Sequence, residues 1–158
     1  MKGAYMKILL CTDGSESSQK ALEKTVMLAE KCEIDEVAII HVYDSSQYTS
    51  LPFFPDGGIS ITEEEIESLK KIKEKERRES KKLLAKASEN FKSRNIKVRT
   101  IFKEGHPSHI IVDIANKEGF DMIVLGSRGL SGFKKVFLGS VSNAVLHEAK
   151  DCSVLIVK

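Results

Sequence analysis

The sequence contains no tryptophan, only three prolines and three cysteines, and almost no net charge. Each shortage excludes something. Cys11, Cys32 and Cys152 form no CxxC pair and are odd in number, so no disulfide framework is encoded, and reduced thiols in a cytoplasmic protein are the expected state. Cys11 and Cys32 fall within apolar patterns, where cysteine acts as a small hydrophobe. The 25 basic and 23 acidic residues leave a formal charge of +2. That excess is too small to hold a nucleic acid by bulk electrostatics. No apolar run approaches the roughly 20 residues that span a bilayer. Residues 1–7 carry two lysines but lead into a strand-length apolar run without a cleavage pattern, so neither a signal peptide nor a membrane partner is expected. A Walker-type phosphate loop with its Lys-Ser/Thr pair is also missing.

What is present is a chain of 158 residues, 41% hydrophobic and 30% charged, as expected for one globular domain spanning 1–158. Short apolar runs alternate with segments of helical period, the pattern of parallel βαβ units. Strands are expected at Lys7–Thr12, Val37–Tyr43, Lys97–Lys103, Asp121–Leu125 and Ser153–Val157. The first helix starts at an N-cap, Ser15, and buries Ala21, Leu22, Thr25, Leu28, Ala29 and Cys32. The second spans about Ile61–Arg94, with a weak apolar stripe and an almost wholly charged middle at Lys73–Lys82, read as a solvated face. The third opens at Pro107 and closes at Gly119, and the fourth runs from about Ser140 to Ala149. Near-continuous apolar strands imply a sheet covered on both faces, a doubly wound α/β/α sandwich; the expected sheet has five parallel strands in the order 3-2-1-4-5, which would set strands one and four side by side.

In such sheets ligands sit beyond the carboxyl ends of the strands, where the strand order reverses. Two of those ends carry unusual chemistry: Thr12-Asp13-Gly14-Ser15 after strand one, and the glycine-rich stretch Gly126–Ser140 after strand four. In the long stretch, Gly126 and Gly129 permit tight turns and close backbone approach. Gly139-Ser140 opens a helix whose free N–H groups favour an anion. Ser140 and Ser142 add hydroxyls, and Arg128, Lys134 and Lys135 add charge. The same composition also suits a glycine-rich surface loop with solvated lysines. Asp13 fits two roles, accepting from ribose hydroxyls or capping the helix beside Ser15.

The spacing Gly126-x2-Gly129-x9-Gly139-Ser140 resembles the ATP-binding signature of the universal stress protein family. The surrounding segments are similar in the same order: Lys7–Ser15, His41-Val42, Gly105-His106-Pro107, Asp121–Gly129 and Asp151–Val157. The resemblance implies ATP as ligand, with Mg²⁺ (or Mn²⁺) arriving on its phosphates rather than in a metal site of the protein. It implies that Asp13, following Thr12, holds the ribose and that the Val42 backbone meets the adenine edge. Gly126, Gly129, Gly139, Ser140 and Ser142 surround ribose and phosphates, while Leu125, Ser127, Arg128 and Val141 line the same pocket. It also implies a homodimer through Ser153–Val157. One departure is Ser153, where the family usually has proline. A branch of the family lacks the glycine signature; this chain keeps it.

No nucleophile–base pair is legible, and His106 and His109, which flank Pro107, are not expected to form a metal pair. His41 is expected to be satisfied at its strand end. The expected function is therefore an ATP-binding regulator in stress response, with at most slow hydrolysis and no catalytic residue assigned. The alternatives are a homodimeric interaction protein that binds no nucleotide, or AMP or cyclic AMP, and a true ATPase or phosphotransferase. The stretch Asp44–Ser60, with Tyr48, Phe53 and Phe54, is long enough to be functional but points to no particular role.

Overall fold

The computed structural model describes residues 6–48, 62–92, 96–130 and 138–158. Five strands, β1 (Met6–Cys11), β2 (Ile34–Tyr43), β3 (Lys97–Glu104), β4 (Met122–Gly126) and β5 (Ser153–Val157), pair in the order β3-β2-β1-β4-β5. Every pairing is parallel. The order reverses between β1 and β4, as in the expected 3-2-1-4-5 sheet. Four helices alternate with the strands: α1 (Glu16–Lys31), α2 (Glu63–Glu89), α3 (Pro107–Glu118) and α4 (Ser140–Glu148), and a short 3₁₀ turn, Ser45–Tyr48, follows β2.

The period-2 alternation of strand side chains splits the core in two. Leu9, Cys11, Ala38, Ile40, Ile123 and Leu125 face one layer with Ile111, Ala115 and Val145 from α3 and α4. Ile8, Leu10, Val37, Ile39 and Val124 face the other, with Ala21 and Leu22 from α1 and with Leu84, Ala87 and Phe91 from α2 and the turn after it. Local chemistry sets the helix ends. The Ser15 hydroxyl accepts from the Ser18 amide at 3.1 Å, Thr62 and Glu65 form a capping box, and Gly119 adopts φ 65° to close α3, a conformation that favours glycine.

Several boundaries differ from the sequence reading. β2 begins at Ile34, three residues early, because Glu36 is buried (5% exposed). Its charge is matched by Arg99 and by Lys97, whose ammonium lies 3.4 Å from the carboxylate. Arg99 also bonds Glu118 and lies over the Phe120 ring, as does Lys7. Burial alone would raise the Glu36 carboxyl, but the hydrogen bonds and charges of Arg99 and Lys97 outweigh it and hold the group below the usual glutamate range. Cys32, placed on the buried face by periodicity, is exposed at the C-cap of α1. The second helix is shorter than Ile61–Arg94, and only its last third is anchored, through Ser80, Leu84 and Ala87. Ser153 donates its amide to the Asp121 carbonyl at 2.9 Å, so serine adds a ladder bond here that proline cannot make.

Candidate functional site

The β1 and β4 carboxyl ends meet at the switch point, and each residue there has an identifiable job. Thr12 leaves the ladder after donating to the Ile40 carbonyl at 2.9 Å. Its hydroxyl lies 3.3 Å from that of Ser18. Asp13 accepts the Ser15 amide on Oδ1 at 2.9 Å, an Asx turn ahead of the Ser15 cap. Its other oxygen, Oδ2, faces Gly129: a Cβ built on that glycine would stand 2.9 Å from it. The Ser15 hydroxyl is 3.4 Å from the Arg128 carbonyl, so the two loops are joined and share one crevice.

The glycines of the Gly126–Ser140 stretch are required for different reasons. A Cβ on Gly126 would lie 2.5 Å from the Ser17 carbonyl carbon, so this glycine lets α1 approach the sheet. Gly129 leaves room for the Asp13 carboxylate. Gly139 donates its amide to the Ser127 carbonyl at 2.7 Å, pinning the two ends of the loop together at the start of α4. Lys134 and Lys135 lie outside the described residues, as do Phe53 and Phe54.

The other predicted residues divide into wall and support. Ser127 is 2% exposed, and its amide donates to the Val157 carbonyl at 2.7 Å. Ser142 donates its hydroxyl to the Gly126 carbonyl at 2.7 Å, which braces the loop against the start of α4. Leu125 is core, and Val141 packs against the same cluster. Arg128 and Ser140 are exposed at the loop and helix start.

Val42 presents a backbone edge to the crevice. In β2, Ile40 bonds toward β1, while Tyr43 accepts from Gly105 on the β3 side at 2.9 Å. Strand alternation therefore turns the Val42 amide and carbonyl toward β1, whose ladder has already ended at Cys11 and Thr12. Neither group has a partner among the described residues. The ladder partner expected for the Val42 amide, the Thr12 carbonyl, instead lies 2.7 Å from His41 Nδ1. His41 is thus satisfied at its strand end, as expected, and it fixes the carbonyl beside Asp13. Sequence reading placed Ser15 as the helix cap but missed its contact with Arg128 and the roles of Ser17 and Ser18; the Ser-Glu-Ser-Ser run directly after Asp13-Gly14 was the available signal.

Cys11, beneath Asp13, is inert. Burial, reinforced by the nearby Asp13 charge, pushes its thiol far above the usual range. No group of three metal-binding side chains occurs among the described residues. His106 and His109 tilt against each other with ring centroids 4.3 Å apart.

The family model for the universal stress protein family matches residues 4–158. The chain belongs to the universal stress protein family. Universal stress protein YxiE of Bacillus subtilis is 35% identical over 98% of this chain and 99% of its own length. Universal stress protein MJ0577 of Methanocaldococcus jannaschii is 33% identical over 100% of this chain and 98% of its own. The solved MJ0577 structure superimposes with a TM-score of 0.79, covering 98% of this chain and 96% of that one at 31% identity. A universal stress protein solved in complex with cAMP shares the fold, with a TM-score of 0.65 at 23% identity over 97% of this chain and 96% of that one. The family's five-stranded parallel sheet with order 3-2-1-4-5 is the sheet described above. No helix among the described residues is long and apolar enough to cross a membrane.

Proposed function

We propose that this universal stress protein binds ATP in the crevice between the β1 and β4 carboxyl ends and acts as a nucleotide-dependent regulator in stress response. The observation that carries the reading is the approach of Asp13 to Gly129, which sets one unspent carboxylate oxygen over the start of the glycine signature. In this reading Asp13 Oδ2 accepts from ribose hydroxyls. The Val42 amide and carbonyl meet the adenine edge, where a base needs one donor and one acceptor. Gly129, Gly139 and Ser140 face the ribose and phosphates, with the free amides at the start of α4 favouring negative charge. Arg128 adds positive charge. Mg²⁺ (or Mn²⁺) would be held through the phosphates. In this reading the protein holds its nucleotide and turns it over slowly at most, with no catalytic residue assigned.

The protein is read as cytoplasmic and as a homodimer through β5. That strand is the sheet edge. Since Ser153 and Val157 bond inward to β4, alternation turns the amides and carbonyls of Val154 and Ile156 outward, where they invite a second strand.

The test is mass analysis of nucleotide released by denaturing the purified protein, with its molar ratio to chain. Near-stoichiometric ATP is expected. ADP or AMP alone would mean hydrolysis or a different specificity, and cAMP would move the ligand to that of the cAMP-bound relative. No released nucleotide, together with no binding of added ATP, overturns the reading.

A further inference from the structure

The β1–β2 ladder stops one bond short of where its geometry allows. In a parallel pair, a residue that donates to a partner carbonyl accepts, on its own carbonyl, the amide two residues further along the partner. Thr12 donates its amide to the Ile40 carbonyl at 2.9 Å, so its carbonyl is the natural acceptor for the Val42 amide. That bond is not formed. Strand pairing ends at Cys11 and Ile40, and Val42 is left half-buried with an unspent amide. A partly buried amide without a partner costs free energy, so this edge favours a ligand that supplies the missing acceptor.

The cause is the side chain one residue earlier. His41 Nδ1 lies 2.7 Å from the Thr12 carbonyl oxygen. A carbonyl only accepts, so Nδ1 carries the hydrogen and donates it. The ring is supported by Phe102, its cross-strand neighbour on β3, with centroids 6.3 Å apart and planes 23° from parallel. The same bond holds the peptide that joins Thr12 to Asp13, whose Oδ1 is already taken by the Ser15 amide. One imidazole therefore sets both sides of the crevice.

We propose that His41 is a positioning residue of the nucleotide site: by occupying the Thr12 carbonyl, it keeps the Val42 amide free for the base. For its ligand this rests on the ATP reading above. Adenine presents the N1 acceptor beside the N6–H donor, which matches the amide and carbonyl of Val42. Hypoxanthine presents an N1–H donor beside the O6 acceptor, the reverse order. His41 thus governs which base is accepted without touching it.

Amide hydrogen exchange, followed by NMR on the ligand-free full chain, tests the backbone half. In the wild type the Val42 amide should exchange at least about tenfold faster than that of Ile40, which lies inside the ladder. In H41F, which has no donor, the Thr12 carbonyl takes the Val42 amide, and its exchange should slow by about tenfold. H41N, which offers an amide nitrogen where Nδ1 stood, should restore fast exchange. Isothermal calorimetry tests the ligand half. H41F should weaken ATP binding by about tenfold, the worth of one hydrogen bond, and ITP binding by less, so the preference for ATP over ITP shrinks; H41N should recover it. Protection of Val42 equal to that of Ile40 in the wild type overturns the proposal, as does unchanged Val42 exchange in H41F. Equal weakening of ATP and ITP also overturns it, because the loss then runs through Asp13 alone. A wild type that binds no ATP overturns the ligand half together with the proposed function, while the exchange rates, read without ligand, still decide what His41 does to the ladder. Should H41F not fold, H41Q, whose amide stands one bond further out, takes its place with the same expected results.

Discussion

Three glycines of one signature answer to three different neighbours, and substitution separates them. Gly126→Ala forces a methyl group into the α1 backbone at Ser17. Such overpacking costs about 3 kcal/mol, a fall in Tm of roughly 6–12 °C for a chain of this size, measured by thermal melting without ligand. Gly129→Ala meets only the movable end of a side chain, the Asp13 carboxylate. Its Tm should stay within about 2 °C of wild type, while ATP affinity by isothermal calorimetry falls at least tenfold because Asp13 is pushed from its place. Equal losses of stability in both variants would contradict this division. The spacing Gly126-x2-Gly129-x9-Gly139 was legible in the sequence, but the division of labour was not. It depends on Ser17 and Asp13, which approach from another strand–helix unit more than 100 residues away. Ser142 has a bond the sequence did not show: its hydroxyl donates to the Gly126 carbonyl at 2.7 Å.

At the scale of elements, the β2–β3 pairing holds a titratable device at the amino end of the sheet. Glu36 keeps its proton off more readily in the folded chain than in the unfolded one. The unfolded chain therefore takes up that proton first as pH falls, and the stabilisation, complete above the ordinary glutamate value of roughly 4.3, is lost as pH drops through the lower folded value. Glu36→Gln should accordingly flatten the acid limb of a Tm-against-pH curve below about pH 4.5, while lowering Tm near neutrality. An unchanged acid limb would assign acid sensitivity to other carboxylates. This pair also explains why the start of β2 was not read from sequence. Asp35-Glu36 interrupts the apolar run, and only the arrival of Arg99 and Lys97 from the neighbouring strand makes burial of that charge possible. The strands with uninterrupted apolar runs were placed to within a residue or two, as were the helices with a serine cap or a glycine stop. α2 was the least legible, since none of its residues before Ser80 is fully buried and its periodicity carries little contrast.

For the whole molecule, the sheet edge at β5 bears on what it can assemble into. At β5, proline at an outward-facing position removes a donor from the edge and none from the β4 ladder. Ile156→Pro is thus expected to abolish the homodimer proposed through β5 while retaining the far-ultraviolet dichroism of the fold; light scattering and dichroism together check this, and a dimer persisting in the variant would overturn the β5 interface. The doubly wound class was readable from the alternation of elements, but that alternation fits more than one strand order, and which groups face outward at the edge was not readable, because that depends on the register of β4 with β5 and on Ser153 supplying its amide to Asp121. The bond from the Gly139 amide to the Ser127 carbonyl has a consequence of a different kind. It closes the intervening chain like a clasp, so β4 and α4 keep their relation whatever runs between them. Lengthening a clasped segment is thermodynamically mild, about 0.6 kcal/mol for each doubling. The framework thereby tolerates insertion between Ser127 and Gly139 at little cost, so a change of length there leaves the fold in register.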